Sequence, residues 1–308
     1  MLFNMKTLIL HLLLGHIVGI FGGDVSETLF EIGPVEYEEP EKYSKNPYYF
    51  NFGSKHTICP TNATCLDGKF NFLCAPEPMK ISKQCKRFLP IRNTHRSTLK
   101  MVHVHNGLRN KVARSYKVSN MNLVYWNIHL QNMAEQYLHL CRPYQDTCRI
   151  IGTDGYEVGQ NWLYVRRHRA AILNEWEGRT VRHWVMDLFS TFHFRHAVND
   201  SREQPDHVRF LVQVMMPRLE FIGCGAAIMF KGFFIVCYYF PPAKGKLSSQ
   251  LTYLLPNETC VCPEERHLCS SLFTSLCGID IHKSATIIEL SGLNVFLAIF
   301  LILVCFVS

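Results

Sequence analysis

Thirteen cysteines in a chain of 308 residues limit the fold more than any other feature. That density is below that of a small disulfide scaffold and above that of a typical cytosolic protein. Twelve of the thirteen lie between Cys59 and Cys277, and the last, Cys305, sits in an uncharged apolar run. An even twelve outside that run fits a fully paired domain in an oxidising compartment. The beginning of the chain agrees: residues 1–23 place Lys6 before an apolar stretch from Thr7 to Phe21 and then two glycines, the layout of a cleaved secretory signal peptide. After Glu289 no charged residue occurs, and residues 284–308 read as a hydrophobic tail. With no basic residue beyond the apolar run, a GPI-attachment signal is the expectation, with Ser284 before Ala285 and Thr286 as the attachment site and Ser275 or Gly278 as earlier candidates. A single-span anchor and a soluble product are the alternatives. Sequons at Asn62, Asn199 and Asn257 are expected glycosylation sites in a protein of the secretory pathway.

The chain is 48% hydrophobic and 12% aromatic, which excludes a disordered protein. Residues 24–58 carry seven acids against three lysines, with Pro34, Pro40 and Pro47, and read as an acidic leader. It is either a solvated tail or an arm that folds back on the basic remainder. A single core of about 180 to 190 residues is expected after the leader. Met101, Val104, Leu108 and Val112 have helical spacing behind Ser97 and Thr98 as candidate N-caps. A second helix is predicted after Asn127, with Leu130, Ala134, Tyr137 and Cys141 on one face, and a third over 181–192. The apolar runs 210–216 and 233–239 read as buried strands, with Gly223-Cys224-Gly225 between them. Helices first and strands later indicate a layered α/β domain. Residues 247–283 hold Cys260, Cys262, Cys269 and Cys277, which suit two local disulfides in a small appendage better than a zinc site.

Several segments, in order, resemble the CAP superfamily (cysteine-rich secretory proteins, antigen 5 and pathogenesis-related 1 proteins), and most closely its insect antigen 5, venom-allergen-like branch. His105-Asn106-Gly107-Leu108-Arg109-Asn110-Lys111-Val112-Ala113 is similar to the HNxxRxxVA segment of the family. Leu123 to Trp126, Cys141 to Arg149 with Gln145-Asp146, Val158-Gly159-Gln160-Asn161, Gln213 to Met216, Ile222 to Cys224 and Val236 to Tyr239 match further family segments. The resemblance covers 59–246, and it implies a disulfide-stabilised three-layer α-β-α sandwich. It also implies the pairs Cys59 with Cys74, Cys65 with Cys148, Cys85 with Cys141, and Cys224 with Cys237.

Many members of the family hold a divalent metal with two His and two Glu in a central cleft. Residue by residue, the resemblance places Gln145 and Phe210 at the two His positions and Gln160 and Asp187 at the two Glu positions. Amides are poor zinc ligands and Phe is none, so no metal and no other cofactor is expected. His207 reaches the cleft only if the register slips. His103 with His105, or His193 with His196, are read as solvated pairs without a third ligand. No GxSxG or HExxH segment occurs, so a hydrolase has no visible nucleophile or base. The resemblance therefore implies a non-catalytic extracellular protein that acts by binding protein or lipid, with reproduction as the expected setting. A carrier of a sterol or other small apolar ligand is the alternative. The basic run Arg166, Arg167, His168 and Arg169, with Arg179, Arg182 and Trp176 nearby, points to an anionic extracellular surface rather than nucleic acid, or else to a solvated face.

Overall fold

The computed structural model describes residue 52 and residues 58–280, apart from 66, 76–79, 167–174, 186–205, 231, 256–257, 259 and 263–267. All of these fall in one compact unit, residues 47–308. The signal peptide, most of the leader, Asp187, Asn199, Asn257, Ser284, the hydrophobic tail, Arg167 to Arg169, and the His193 and His196 pair lie outside the described residues. Among those described, no helix is long and apolar enough to cross a membrane.

The first helix, α1 (His95–Tyr116), starts one turn earlier than the candidate caps suggest. Thr94 is its N-cap: Ser97 N–H donates to Thr94 Oγ1 at 3.1 Å and Thr94 N–H to Ser97 Oγ at 2.8 Å, the reciprocal pair of a capping box. Ser97 is therefore the third helical residue. Helix α2 (Ile128–His139) begins as the sequence suggests, with the Asn127 side chain accepting from the N–H groups of His129 and Leu130. Cys141 falls beyond its end, in left-handed backbone (φ 53°). Helix α3 (Trp176–Val185) covers the start of the third predicted helix.

The run 210–216 is not a strand. It belongs to helix α4 (Asp206–Met215), which packs against α1, α3 and the sheet. Leu211, Val212, Val214 and Met215 are all buried because neighbours cover the helix on several sides, so the helical period is hidden.

Strands β1 (Leu89–Ile91), β2 (Tyr125–Trp126), β5 (Gly159–Arg166), β6 (Phe221–Met229) and β7 (Gly232–Phe240) form one sheet. Its order is β1-β6-β7-β5, with β2 pairing in parallel with the beginning of β6. A small hairpin, β3 (Ile150–Ile151) with β4 (Tyr156–Glu157), stands apart from it. Gly223-Cys224-Gly225 lies inside β6, with Cys224 opposite Cys237 of β7. Helix α2 lies on one face of the sheet; α1, α3 and α4 lie on the other. These are the three layers of an α-β-α sandwich. Both faces are covered, so β6 and β7 are buried almost throughout instead of alternating.

Six disulfides close the described structure. Cys59–Cys74, Cys65–Cys148, Cys85–Cys141 and Cys224–Cys237 are the pairs that the resemblance implies, and Cys260–Cys269 and Cys262–Cys277 lie in the C-terminal segment. That segment is knitted into the domain rather than appended to it. Cys277 N–H donates to Met121 O, Leu123 N–H donates to Cys277 O, and Leu276 and Cys277 are fully buried. The core also begins before Cys59. Phe52, placed in the leader by its sequence, is 1% exposed, with its ring edge-on to those of His129, Tyr156 and Phe240.

Candidate functional site

Three of the four residues matched to the cleft positions come together at the β5 edge of the sheet. In β7 consecutive side chains point to opposite faces, so Tyr238 faces α2 while Tyr239 faces α1 and α3. Gln160 is the register partner of Tyr238 and shares its face. The Gln160 amide is used at both ends: Oε1 accepts from Asp146 N–H at 2.7 Å, and Nε2 donates to Tyr238 Oη at 3.1 Å. Tyr238 O–H then donates to Asp146 Oδ2 at 3.2 Å, and Cys148 N–H donates to Asp146 Oδ1 at 2.9 Å. The ring Asp146–Gln160–Tyr238 is closed and buried.

Gln145, next in the chain to Asp146, points the other way. Its Oε1 accepts from Arg209 Nη2 at 3.0 Å, and the same Arg209 nitrogen also pairs with Asp206. Phe210 packs its ring against Trp162 and Trp184, and its carbonyl accepts from Asn161 Nδ2 at 3.0 Å. The fourth matched position, Asp187, lies outside the described residues.

His105 is not the solvated residue its sequence suggests. It is fully buried, with Nδ1 2.8 Å from Met101 O and Nε2 3.3 Å from Tyr239 Oη. Burial pulls its pKa down to about 4, so the ring is neutral at pH 7. Nδ1–H then donates to Met101 O, and Nε2 accepts from the tyrosine hydroxyl. With both nitrogens engaged, it offers no base to an incoming substrate. His103, two residues back, is exposed on the opposite side of α1, edge-on to Phe273.

Asp146 is the titratable group of this site that its sequence did not single out. Burial pushes its pKa up to about 6, against the bonds from Cys148 N–H and Tyr238 O–H that favour the carboxylate. A carboxyl with a folded pKa above its unfolded one binds the extra proton in the native state between about pH 4 and 6, so its contribution to stability is present at the acid end and is lost as pH rises through that window. Asp146→Asn removes this titration in a side chain of the same shape. The variant is expected to match the wild type near pH 4 and to gain on it by on the order of 2 kcal/mol above pH 6, measured as the difference between their denaturation midpoints across that range.

Among the described residues, Cys260, Cys262 and Cys269 are the acidic, His or Cys side chains grouped closely enough to hold a metal ion, and all three are engaged in disulfides. Among the basic residues, Arg166 ends β5, and Arg179 and Arg182 lie on α3, all three exposed. Trp176, at the start of α3, packs on Phe233 at 6.0 Å, and Phe233 is the register partner of Val165. The end of β5 that carries Arg166 is therefore the end of the sheet where α3 begins, and Arg179 and Arg182 follow within the first two turns of that helix. Trp176 itself is buried and belongs to the core. Asn62 is exposed, its Oδ1 accepting from Thr64 N–H at 3.1 Å.

No family model matches the chain. Venom allergen 5 of Vespula vidua is 28% identical over 155 residues, which span 46% of this chain and 72% of the wasp protein. Among solved structures, BmVAL-1 aligns with a TM-score of 0.45 at 17% identity, over 62% of this chain and 97% of its own. Schistosoma mansoni venom allergen-like protein 4 aligns with a TM-score of 0.37 at 21% identity, over 51% of this chain and 99% of its own. The wasp match, together with the order of the motif segments from His105 to Tyr239 and the disulfides among them, makes this chain similar to the venom-allergen-like branch of the CAP superfamily.

Proposed function

We propose that the chain is a non-catalytic extracellular binding protein whose cleft no longer holds a divalent metal, and that its basic end contacts an anionic extracellular partner. The observation that carries the first part is the state of the matched positions. Gln160 has both amide ends engaged by Asp146 and Tyr238, and Gln145 accepts from Arg209. A neutral amide is a poor zinc ligand, and a guanidinium 3.0 Å from Gln145 Oε1 repels a divalent cation from that place. Phe210 offers only carbon. Asp187, the remaining carboxylate, does not hold zinc by itself. Among the described residues of this region, His105 is buried and doubly bonded and Asp146 is buried with both carboxyl oxygens engaged by Cys148 and Tyr238, which supports binding rather than hydrolysis.

The basic end supplies the contact. Arg166, Arg179 and Arg182 are exposed, and exposed cationic side chains draw anionic partners over a distance that salt shortens. One set of measurements tests both parts. Equilibrium dialysis of the purified protein against zinc is expected to show no saturable uptake, and a heparin column is expected to retain the protein and release it at lower salt once Arg166, Arg179 and Arg182 are replaced by Ala. Stoichiometric zinc uptake overturns the first part. Elution at unchanged salt overturns the second.

A further inference from the structure

The C-terminal segment brings four cysteine sulfurs into one cluster. Besides the bonds Cys260–Cys269 and Cys262–Cys277, Sγ of Cys262 lies 3.8 Å from Sγ of Cys260 and 3.6 Å from Sγ of Cys269. Nonbonded sulfurs this close are in contact, and disulfide exchange needs only a thiolate brought up to a disulfide sulfur. The four differ in access. Cys269 is exposed, Cys260 and Cys262 are half-buried, and Cys277 is fully buried.

Cys277 is also the fixed member. Its backbone is paired with Met121 and Leu123, and it is the antiparallel bridge partner of Cys269. Cys224 and Cys237 show that this chain already joins cysteines facing each other across antiparallel backbone. A second pairing, Cys269 with Cys277 and Cys260 with Cys262, is thus within reach of the same four sulfurs.

We propose that this cluster is a thiol-triggered disulfide switch between those two pairings. A thiolate from a small-molecule or protein thiol attacks Sγ of Cys269, breaks its bond to Cys260, and leaves a mixed disulfide on Cys269 and a thiolate on Cys260. The Cys260 thiolate attacks Sγ of Cys262, 3.8 Å away, forming Cys260–Cys262 and expelling the Cys277 thiolate. The Cys277 thiolate attacks Sγ of Cys269, its bridge partner, and releases the original thiolate. Two protein disulfides exist before and after, nothing is oxidised or reduced overall, and the external thiolate is returned. In the first pairing the arm that holds Cys260 and Cys262 is bound to the fixed Cys277. In the second it is bound only to itself, which frees the exposed Val261 and the two cysteines beside it from their tie to the core.

Disulfide mapping of the full-length secreted protein tests the switch. The protein is held with reduced glutathione at mildly alkaline pH without oxygen, acid-quenched at intervals, and digested unreduced with trypsin and chymotrypsin. Cleavage after Arg266 and Phe273 separates the Cys260/Cys262 peptide from those of Cys269 and Cys277. In the first pairing that peptide stays linked to both of the others; in the second it is released with its own internal disulfide, and the other two remain joined. The expected result is release that grows with time in glutathione, at least about tenfold faster than glutathione opens the buried Cys224–Cys237 bond, because exchange rate follows access. Three results overturn the proposal: a glutathione adduct on Cys269 with the peptide still linked, no reaction at the cluster, or equal exchange at all six disulfides.

Discussion

Replacement of Arg109 by Met is expected to prevent the protein from folding. Arg109 is fully buried, and no carboxylate among the described residues pairs with it. Its guanidinium instead spans four backbone carbonyls. Nε and Nη2 donate to Asn122 O at 3.2 and 2.9 Å, Nη1 to Val214 O and Met216 O at 2.7 and 2.9 Å, and Nη2 to Pro217 O at 3.2 Å. Val214, Met216 and Pro217 are at the end of α4, where helical carbonyls lack partners and the dipole is negative, so a cation is well placed there. Asn122 leads into β2. One side chain of α1 therefore fixes the exit of α4 and the approach to β2.

Burial pulls the Arg109 pKa down to about 9, which still leaves it charged at neutral pH. Met fills a similar volume but strands Asn122 O and Val214 O, at about 1–3 kcal/mol each, and leaves Met216 O and Pro217 O only the N–H groups of Leu219 and Asn122. Two stranded acceptors, two weakened ones and the lost tie between α4 and β2 amount to a loss of about 5 kcal/mol, which meets the margin of many domains. Arg109→Lys keeps the charge but has three donors at one point and cannot span four carbonyls, so it is also expected to fail, less completely. The measurement is secreted yield followed by near-UV circular dichroism and chemical denaturation. Folding of the Met variant with a midpoint close to the wild type would show that the clamp is dispensable.

Arg109 also marks a boundary of what its sequence discloses. The segment His105 to Ala113 stands out as a family motif, and its apolar spacing specifies a helix. Nothing in that spacing says that His105, Asn106 and Arg109 point inward, since charged and polar residues on a helix ordinarily face solvent. Their burial follows from tertiary partners: the carbonyls after α4 for Arg109, and both the N–H and C=O of Val124 for the Asn106 side chain. The same limit explains the exchange of strand for helix at 210–216, where an apolar stretch shorter than a helix has no period to read until its neighbours are known. It explains Asp146 as well. The residue reads as one member of a short motif, and only the register of Gln160 against Tyr238 makes it a buried carboxyl. Gln145, Gln160 and Phe210 are legible as substitutions at matched positions. That Arg209 stands against Gln145 is not, because it depends on the run being helical and on where α4 begins.

Gly223→Val is expected to be the second most damaging change, and Gly107→Ala its contrast. The Gly-Cys-Gly sequence of β6 lets α2 lie directly on the sheet: a Cβ at Gly223 would run into the backbone of Leu130 and Gln131, and one at Gly225 would crowd Ala134, Glu135 and Leu138. Neither obstacle at Gly223 is the movable end of a side chain. A larger residue must therefore push the whole helix away from β6 and β7, opening contacts along its length that include Tyr137 against Tyr238 and Phe234. Overpacking in a core costs about 1–3 kcal/mol when side chains alone adjust, and a rigid-body shift of α2 takes Val to the top of that range or beyond. Ala at the same place, with one methyl group to fit, is expected to cost less. Gly107 sits inside α1, and an added Cβ there meets nothing within 4 Å. Ala at 107 is expected to stabilise the domain by about 0.5–1 kcal/mol, since it restricts the unfolded chain and raises helix propensity without crowding a neighbour. Denaturation midpoints of the three variants decide the matter. A Gly223→Val protein as stable as the wild type would mean that α2 does not rest on β6 at that residue, and the close approach that defines this layer of the sandwich would be wrong.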